Sequence, residues 1–249
     1  MDLGIRDRVA VVTGGARSLG RADAHALAGE GCRVAVLDLN AEGAQETATE
    51  IATAGGAARG YACDVRDAGQ VRAVVAEVAG ALGPVDICVN NAGIIYTLGQ
   101  LKDMRDEDWE LNLAVNLTGT YNVTKAVFPG MRERRWGRIV CMASIAGLMG
   151  GFGQTAYATT KMGVIGFARS VALEGARYNV TSNVIAPGIV GPNAQLSPMY
   201  ERMVKRVAMQ REGKPEDVAS AVTFLCSERA RYITGAVLSV MGGMDLFTF

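Results

Sequence analysis

Short, continuous apolar runs alternate along the chain with longer stretches whose apolar residues recur at helical spacing. The runs are Val9–Thr13, Arg33–Asp38, Val85–Val89, Arg138–Met142, Asn179–Ile185 and Ala236–Val240. Lacking strict polar alternation, they predict strands covered on both faces. The helical stretches are Leu19–Ala28, Ala41–Ala54, Ala68–Leu82, Trp109–Glu133, Thr155–Tyr178 and Pro215–Ser227. Strands alternating with helices predict an α/β fold: a single-domain, Rossmann-type, doubly wound parallel sheet with right-handed crossovers and helices on both faces. No linker or repeat interrupts the alternation, so residues 1–249 read as one domain. Pro187 to Met203 has neither a strong helical nor a strand pattern and carries Gly188, Gly191, Pro192 and Pro198. It predicts either a substrate lid near residues 188–210 or an ordinary surface loop.

Composition narrows the function classes. The 249 residues carry 25 basic and 25 acidic side chains and one histidine, a formal net charge of zero. A nucleic-acid partner would need clustered cations. The nearest candidate, Arg132, Arg134, Arg135 and Arg138, is short and reads as the solvated end of a helix. Five widely spaced cysteines without a C-x-x-C pair suggest neither a disulfide frame nor a metal site. Ile139–Thr160 has no charged residue but is broken by glycine, serine and threonine, so no membrane span is expected. Arg6, Asp7 and Arg8 leave no room for an apolar signal segment, and the expectation is a cytoplasmic protein.

Candidate chemistry begins at Thr13-Gly-Gly-Ala-Arg-Ser-Leu-Gly20, between the first strand and first helix, where backbone N–H groups can face a pyrophosphate. Alone, this is equally a tight strand-to-helix turn. Asp38, closing the second strand, adds a carboxylate that can accept hydrogen bonds from a ribose. Tyr157 and Lys161 fall one helical turn apart. An ammonium near a phenol favours the phenolate, which lowers the tyrosine pKa towards the range of a general acid/base; the pair by itself reads more readily as an ordinary helix surface, since the spacing arises by chance in many proteins.

Taken with Cys63-Asp64-Val65, Asn90-Asn91-Ala92-Gly93, Asn116, Ser144 and Pro187-Gly188, these motifs resemble the short-chain dehydrogenase/reductase family over essentially the whole chain. The resemblance implies an NAD(P)-dependent oxidoreductase, usually a homotetramer. It implies that Tyr157 exchanges the substrate proton and Ser144 bonds the substrate oxygen. Lys161 would lower the tyrosine pKa and grip the ribose, and Asn116 would support a water in the proton relay. The cofactor would meet Gly14, Arg17, Ser18, Leu19 and Gly20 in the turn, Asp38 and Leu39 at the ribose, and Asp64 and Val65 near adenine. Asn91, Ala92, Gly93, Pro187, Gly188 and Ile189 would line its remaining length.

Two positions depart from the family pattern. Ser18 stands where the family turn has its middle glycine, and Pro192 stands where many members carry a threonine that bonds the nicotinamide carboxamide. If the resemblance holds, Ile95, Tyr96, Met149 and Gln154 adjoin the substrate beside Ser144 and Tyr157, in a mainly apolar pocket. The expected substrate is an uncharged aromatic, alicyclic or terpenoid secondary alcohol or ketone, with NAD as cofactor because Asp38 repels a 2'-phosphate, although Arg17 acts in the opposite sense. The alternatives are a 3-oxoacyl thioester reductase, to be recognised by a basic entry patch, and a non-catalytic dinucleotide-binding sensor. The C-terminal aromatics, Phe247 and Phe249, are expected to pack against a neighbouring subunit.

Overall fold

A computed structural model describes residues 2–95, 99–191 and 198–246 of the protein. Seven parallel strands form one sheet: β1 (Val9–Thr13), β2 (Arg33–Asp38), β3 (Ala57–Ala62), β4 (Ile87–Asn90), β5 (Gly137–Met142), β6 (Val180–Pro187) and β7 (Val237–Val240). Their order is β3-β2-β1-β4-β5-β6-β7, so the winding reverses between β1 and β4. A crevice at the carboxyl ends of these two strands is where such sheets take ligands. The crossovers are α1 (Ser18–Gly29), α2 (Ala41–Thr53), α3 (Ala68–Ala81), α4 (Asp106–Asn112), α5 (Gly119–Arg134), α6 (Ile145–Met149), α7 (Thr155–Gly175), α8 (Pro198–Val204) and α9 (Pro215–Cys226).

Alternate residues of each strand feed two cores. Val9 and Val11 face one side of the sheet with Cys88, Ile139 and Val184, while Ala10 and Val12 face the other with Ile87, Val140 and Ile185. Three expectations need correction. β3 escaped the apolar-run pattern because it is an edge strand, with Ala57 and Ala62 exposed and only Tyr61 buried. The single helix expected over Trp109–Glu133 is split into α4 and α5 by a π-helical stretch, Leu113–Thr118. Part of the patternless Pro187–Met203 segment is helical, as α8.

Arg138 also departs from the solvated helix end expected of it. It lies on β5 with no exposed surface, donating to the carbonyls of Gly137 at 2.9 Å and Asn179 at 3.0 Å. Its guanidinium stacks 4.4 Å from the Trp136 ring centroid and reaches Glu228 at 3.3 Å. This closes the end of the sheet away from the crevice. No helix among the described residues is long and apolar enough to cross a membrane.

One polar group sits against the logic of the core. Asp23 of α1 is fully buried, and neither carboxylate oxygen has a hydrogen-bond partner. Burial alone pushes its acid well above the ordinary carboxyl range. The folded protein therefore holds a proton that the unfolded chain releases near pH 4, and this side chain's contribution to stability falls as pH rises above that value. Asp23→Val should remove an unsatisfied group costing about 1–3 kcal/mol. Calorimetry should find a melting temperature several degrees higher at pH 7, and a shallower loss of stability between pH 5 and pH 8. A variant that melts lower than the parent would mean the carboxyl is bonded after all.

Candidate active site

The carboxyl ends of β1 and β4 are tied together. Thr13 Oγ1 accepts from the N–H groups of Asn91 at 3.1 Å and Ala92 at 3.0 Å. In return, the Asn91 side-chain amide donates to the carbonyls of Thr13 at 3.0 Å and Gly14 at 3.1 Å. Gly14 has φ +65°, and a Cβ there would lie 2.9 Å from Ala92 Cα; one on Gly20 would lie 2.2 Å from the Gly14 carbonyl oxygen. The turn thus closes only with glycine at both places. Ser18, the first residue of α1, has φ +49° in the left-handed region, which explains why a glycine is the natural occupant and places about 1 kcal/mol of backbone strain at the helix start. Arg17 and Ser18 are exposed, and Leu19 is half-buried.

Asp38 closes the adjacent edge. Its carboxylate accepts from Ala16 N–H at 3.0 Å and Asn40 N–H at 2.9 Å, which holds it beside the turn. Leu39 next to it is 71% exposed. Cys63 N–H donates to the Asp38 carbonyl at 2.8 Å, so Asp64 and the buried Val65 continue the same edge. A glycine-closed turn at a helix N-terminus, a fixed carboxylate and an exposed apolar shelf fit a dinucleotide.

The chemistry-bearing residues converge across the crevice. Ser144 caps α6, its Oγ accepting from Ala146 N–H at 3.2 Å, and its side chain also hydrogen-bonds Tyr157 on α7. Lys161, one turn further along α7, is buried, lies 5.6 Å from the Tyr157 ring centroid and donates to the Met142 carbonyl at 2.8 Å. Burial brings its ammonium down to about 8, opposed weakly by Cys141. Burial likewise pushes the Tyr157 phenol above its ordinary range, with the Ser144 bond pulling it back. The expected lowering of Tyr157 is therefore reversed in sign, because desolvation of the phenol dominates and the opposing influence comes from Ser144.

Asn116 is fully buried in the π-helical stretch. Its Oδ1 accepts from Ile94 N–H at 2.8 Å, and its Nδ2 donates to the Ile94 carbonyl at 3.0 Å and to Thr160 Oγ1 at 3.2 Å. It clamps the Gly93–Ile95 segment to α7. π-Bulges often mark functional positions, and no periodicity in the sequence signals this one. A Cβ on Gly93 would stand 3.2 Å from Lys161 Nζ and 3.3 Å from Asn116 Oδ1, so glycine keeps the ammonium approachable.

Around this centre the rim is apolar: Ile95 is 50% exposed, Met149 63% and Phe152 89%. Gln154 is half-buried beside Gly151. Gly188, following Pro187, donates its N–H to Val240 at 3.1 Å, and only glycine fits against Met241 there. After Ile189 the chain leaves the sheet and returns: Gly191 N–H donates to the Gly213 carbonyl at 3.0 Å, and Gly213 N–H to the Ile189 carbonyl at 2.9 Å. Met209 is 62% exposed and Met203 half-buried. Tyr96, Pro192, Phe247, Phe249 and the side chain of Met199 lie outside the described residues. The one histidine, His25 on α1, is half-buried and pairs with Glu50 at 3.1 Å.

Comparison with known proteins agrees with this geometry. A family model described as enoyl-(acyl carrier protein) reductase matches residues 14–245. The chain is 41% identical over 248 residues to the 3-oxoacyl-[acyl-carrier-protein] reductase FabG of Aquifex aeolicus, covering 98% of this chain and 100% of that protein. It is 39% identical over 249 residues to D-threitol dehydrogenase of Mycolicibacterium smegmatis, covering 98% and 95%. The crystal structure of gox2181 superposes with a TM-score of 0.96 at 33% identity, covering 99% of this chain and 98% of that one.

Proposed function

Since the chain belongs to the short-chain dehydrogenase/reductase family, we propose that it is an NAD-dependent enzyme interconverting a secondary alcohol and a ketone on an uncharged, apolar substrate. The observation that carries the reading is the convergence of Ser144, Tyr157 and Lys161 beneath a rim of Ile95, Met149 and Phe152. A bound nicotinamide supplies or accepts the hydride. The Ser144 hydroxyl fixes the substrate oxygen, and the Tyr157 phenol gives its proton to that oxygen in reduction and takes it back in oxidation. Lys161, held against Met142, sets the field at the phenol and offers its remaining donors to the ribose. Asn116 orders the Gly93–Ile95 wall on the opposite side.

Asp38 supports NAD over its 2'-phosphorylated form. Its carboxylate is fixed by two backbone N–H groups, and the next residue, Leu39, offers no cation. A like charge held nearby is costly, and the exposed Arg17 offsets only part of it.

A second reading, reduction of a 3-oxoacyl thioester, has its own support. The exposed Arg202, Lys205 and Arg206 follow one another on and just after α8, between the two strands of chain that leave and rejoin the sheet. Such a patch suits an acidic carrier, and the relative from Aquifex aeolicus bears that activity in its name. Neither reading involves a nucleic acid or a membrane, and both place the enzyme in the cytoplasm.

Assembly as a homotetramer belongs to this proposal. Exposed Tyr121 and Met162 lie on α5 and α7, while Phe224, Leu238 and a fully exposed Tyr232 lie around α9 and β7. Two separate apolar patches suit the two isologous contacts of a dimer of dimers.

Three measurements follow. A panel of secondary alcohols and 3-oxoacyl thioesters, read by nicotinamide absorbance, should give its highest kcat/KM with an apolar alcohol, and Tyr157→Phe should cut that turnover by about a hundredfold or more while dinucleotide binding persists. Near-parental turnover in the variant would exclude the tyrosine as the proton carrier. With one alcohol, the parent should prefer NAD to NADP by about tenfold or more, about 1.4 kcal/mol, and Asp38→Ala should lose most of that margin; equal use by the parent would refute the Asp38 argument. Light scattering at micromolar concentration should report about four chain masses, and a stable monomer would contradict the assembly.

A further inference from the structure

Phe152, 89% exposed, stands on the connection between α6 and α7. It therefore lies between Ser144, which caps the first of these helices, and Tyr157, in the first turn of the second. The run is Met149-Gly150-Gly151-Phe152-Gly153-Gln154, an aromatic residue set among glycines. Gly150 and Gly153 hold φ +76° and +72°, in the left-handed region that favours glycine, and nothing lies within 4 Å of where a Cβ on Gly150 would stand. The ring thus sits on a short strap with a glycine pivot at either end.

The strap is tied to the opposite wall of the crevice. Gly99 N–H donates to the Gly153 carbonyl at 3.0 Å, and a Cβ on Gly153 would lie 3.2 Å from the Gly99 nitrogen. The wall that follows β4, which Asn116 holds at Ile94, and the connection between Ser144 and Tyr157 therefore meet at this bond. On the two segments so joined, Ile95, Leu101, Met149 and Phe152 all present exposed apolar side chains. The next charges along the chain, Lys102 and Asp103, pair with each other at 3.0 Å and leave this bank neutral. A single exposed apolar side chain is ordinary, whereas a group of them beside a crevice marks a binding surface.

We propose that Phe152 is a specificity-determining residue: its ring folds onto the part of the substrate that extends past the reacting carbon, so the enzyme selects secondary alcohols and ketones with a long apolar substituent over short ones. The inference rests on the alcohol–ketone reading of the Ser144 and Tyr157 centre and names the substrate class within it. Each methylene that passes from water to lie under the ring and against the bank gains up to about fourfold in binding. A chain that stops short of the bank gains none of this. Because the ring is already in water, closing it over a substrate breaks no packing of the free protein that would offset the gain.

The test is kcat/KM over the homologous secondary alkanols from butan-2-ol to decan-2-ol, read by nicotinamide absorbance, for the parent, Phe152→Ser, Phe152→Leu and Leu173→Ser, with light scattering on each protein. Leu173, 83% exposed further along α7, controls for the loss of any exposed apolar side chain. The parent should gain about two- to fourfold with each added methylene. Phe152→Ser should lower the ratio of decanol to butanol by about tenfold or more, Phe152→Leu should restore part of it, and Leu173→Ser should keep the parental ratio. A flat series in the parent, a Phe152→Ser series parallel to the parental one, or an equal loss in Leu173→Ser overturns the inference while the alcohol–ketone reading stands. A change of assembly mass in Phe152→Ser would give the ring to a subunit contact and overturn it as well. A parent that oxidises no member of the series overturns the reading itself, and the inference with it.

Discussion

The reciprocal bonding of Thr13 and Asn91 is the constraint on which the site depends. One hydroxyl accepts two backbone N–H groups from the end of β4, and one amide donates to two carbonyls at the end of β1. The two strands flanking the winding reversal are thereby locked at their carboxyl ends, where backbone groups have lost their sheet partners and would otherwise need water. With that distance fixed, the turn after β1 has no room for side chains at Gly14 and Gly20, and the segment after Asn91 emerges at a defined angle towards Lys161.

From there order passes outward through Asn116. Its amide satisfies both backbone groups of Ile94 and touches Thr160, so the wall after β4 and the helix bearing Tyr157 and Lys161 are joined by one side chain. Burying that side chain while a long helix passes by is met by inserting extra residues into the helical turn, which is the π-helical stretch Leu113–Thr118. The same burial that organises the centre tunes it. It brings the Lys161 ammonium down to about 8 and raises the Tyr157 phenol. The Tyr157 phenol is thus governed by desolvation, with Ser144 opposing it.

Where an element is covered on both faces, its apolar run was legible, as in β1, β2, β4, β5 and β6; β7, at the other edge, was legible from its run Val237-Leu-Ser-Val240 although it is only partly covered. β3 did not, because an edge strand under a single helix needs little apolar surface, and its Gly60 makes way for the backbone of α2, where a Cβ would meet Gln45 N at 2.6 Å. The site residues were readable because turn chemistry and one-turn spacing are local. What stayed hidden was long-range: the clamp by Asn116, the direction of the tyrosine shift and the burial of Asp23. Each depends on what another element places nearby, and Asp23 in particular occupies a helix position whose neighbours would lead one to expect a hydrocarbon.

The paired backbone of Gly191 and Gly213 has a consequence for how such a scaffold diversifies. The chain leaves the sheet and returns at a pair of hydrogen bonds joining Ile189 and Gly191 to Gly213, so the ends of the stretch between are held together, with one further tie from Met209 N–H to the Gly242 carbonyl. Doubling the length of such a loop costs only about 0.6 kcal/mol in closure entropy. Changes of length in that stretch need not disturb the sheet that carries Ser144, or the helix that carries Tyr157 and Lys161. Length variation in this stretch and conservation of the sheet are thereby decoupled within one chain.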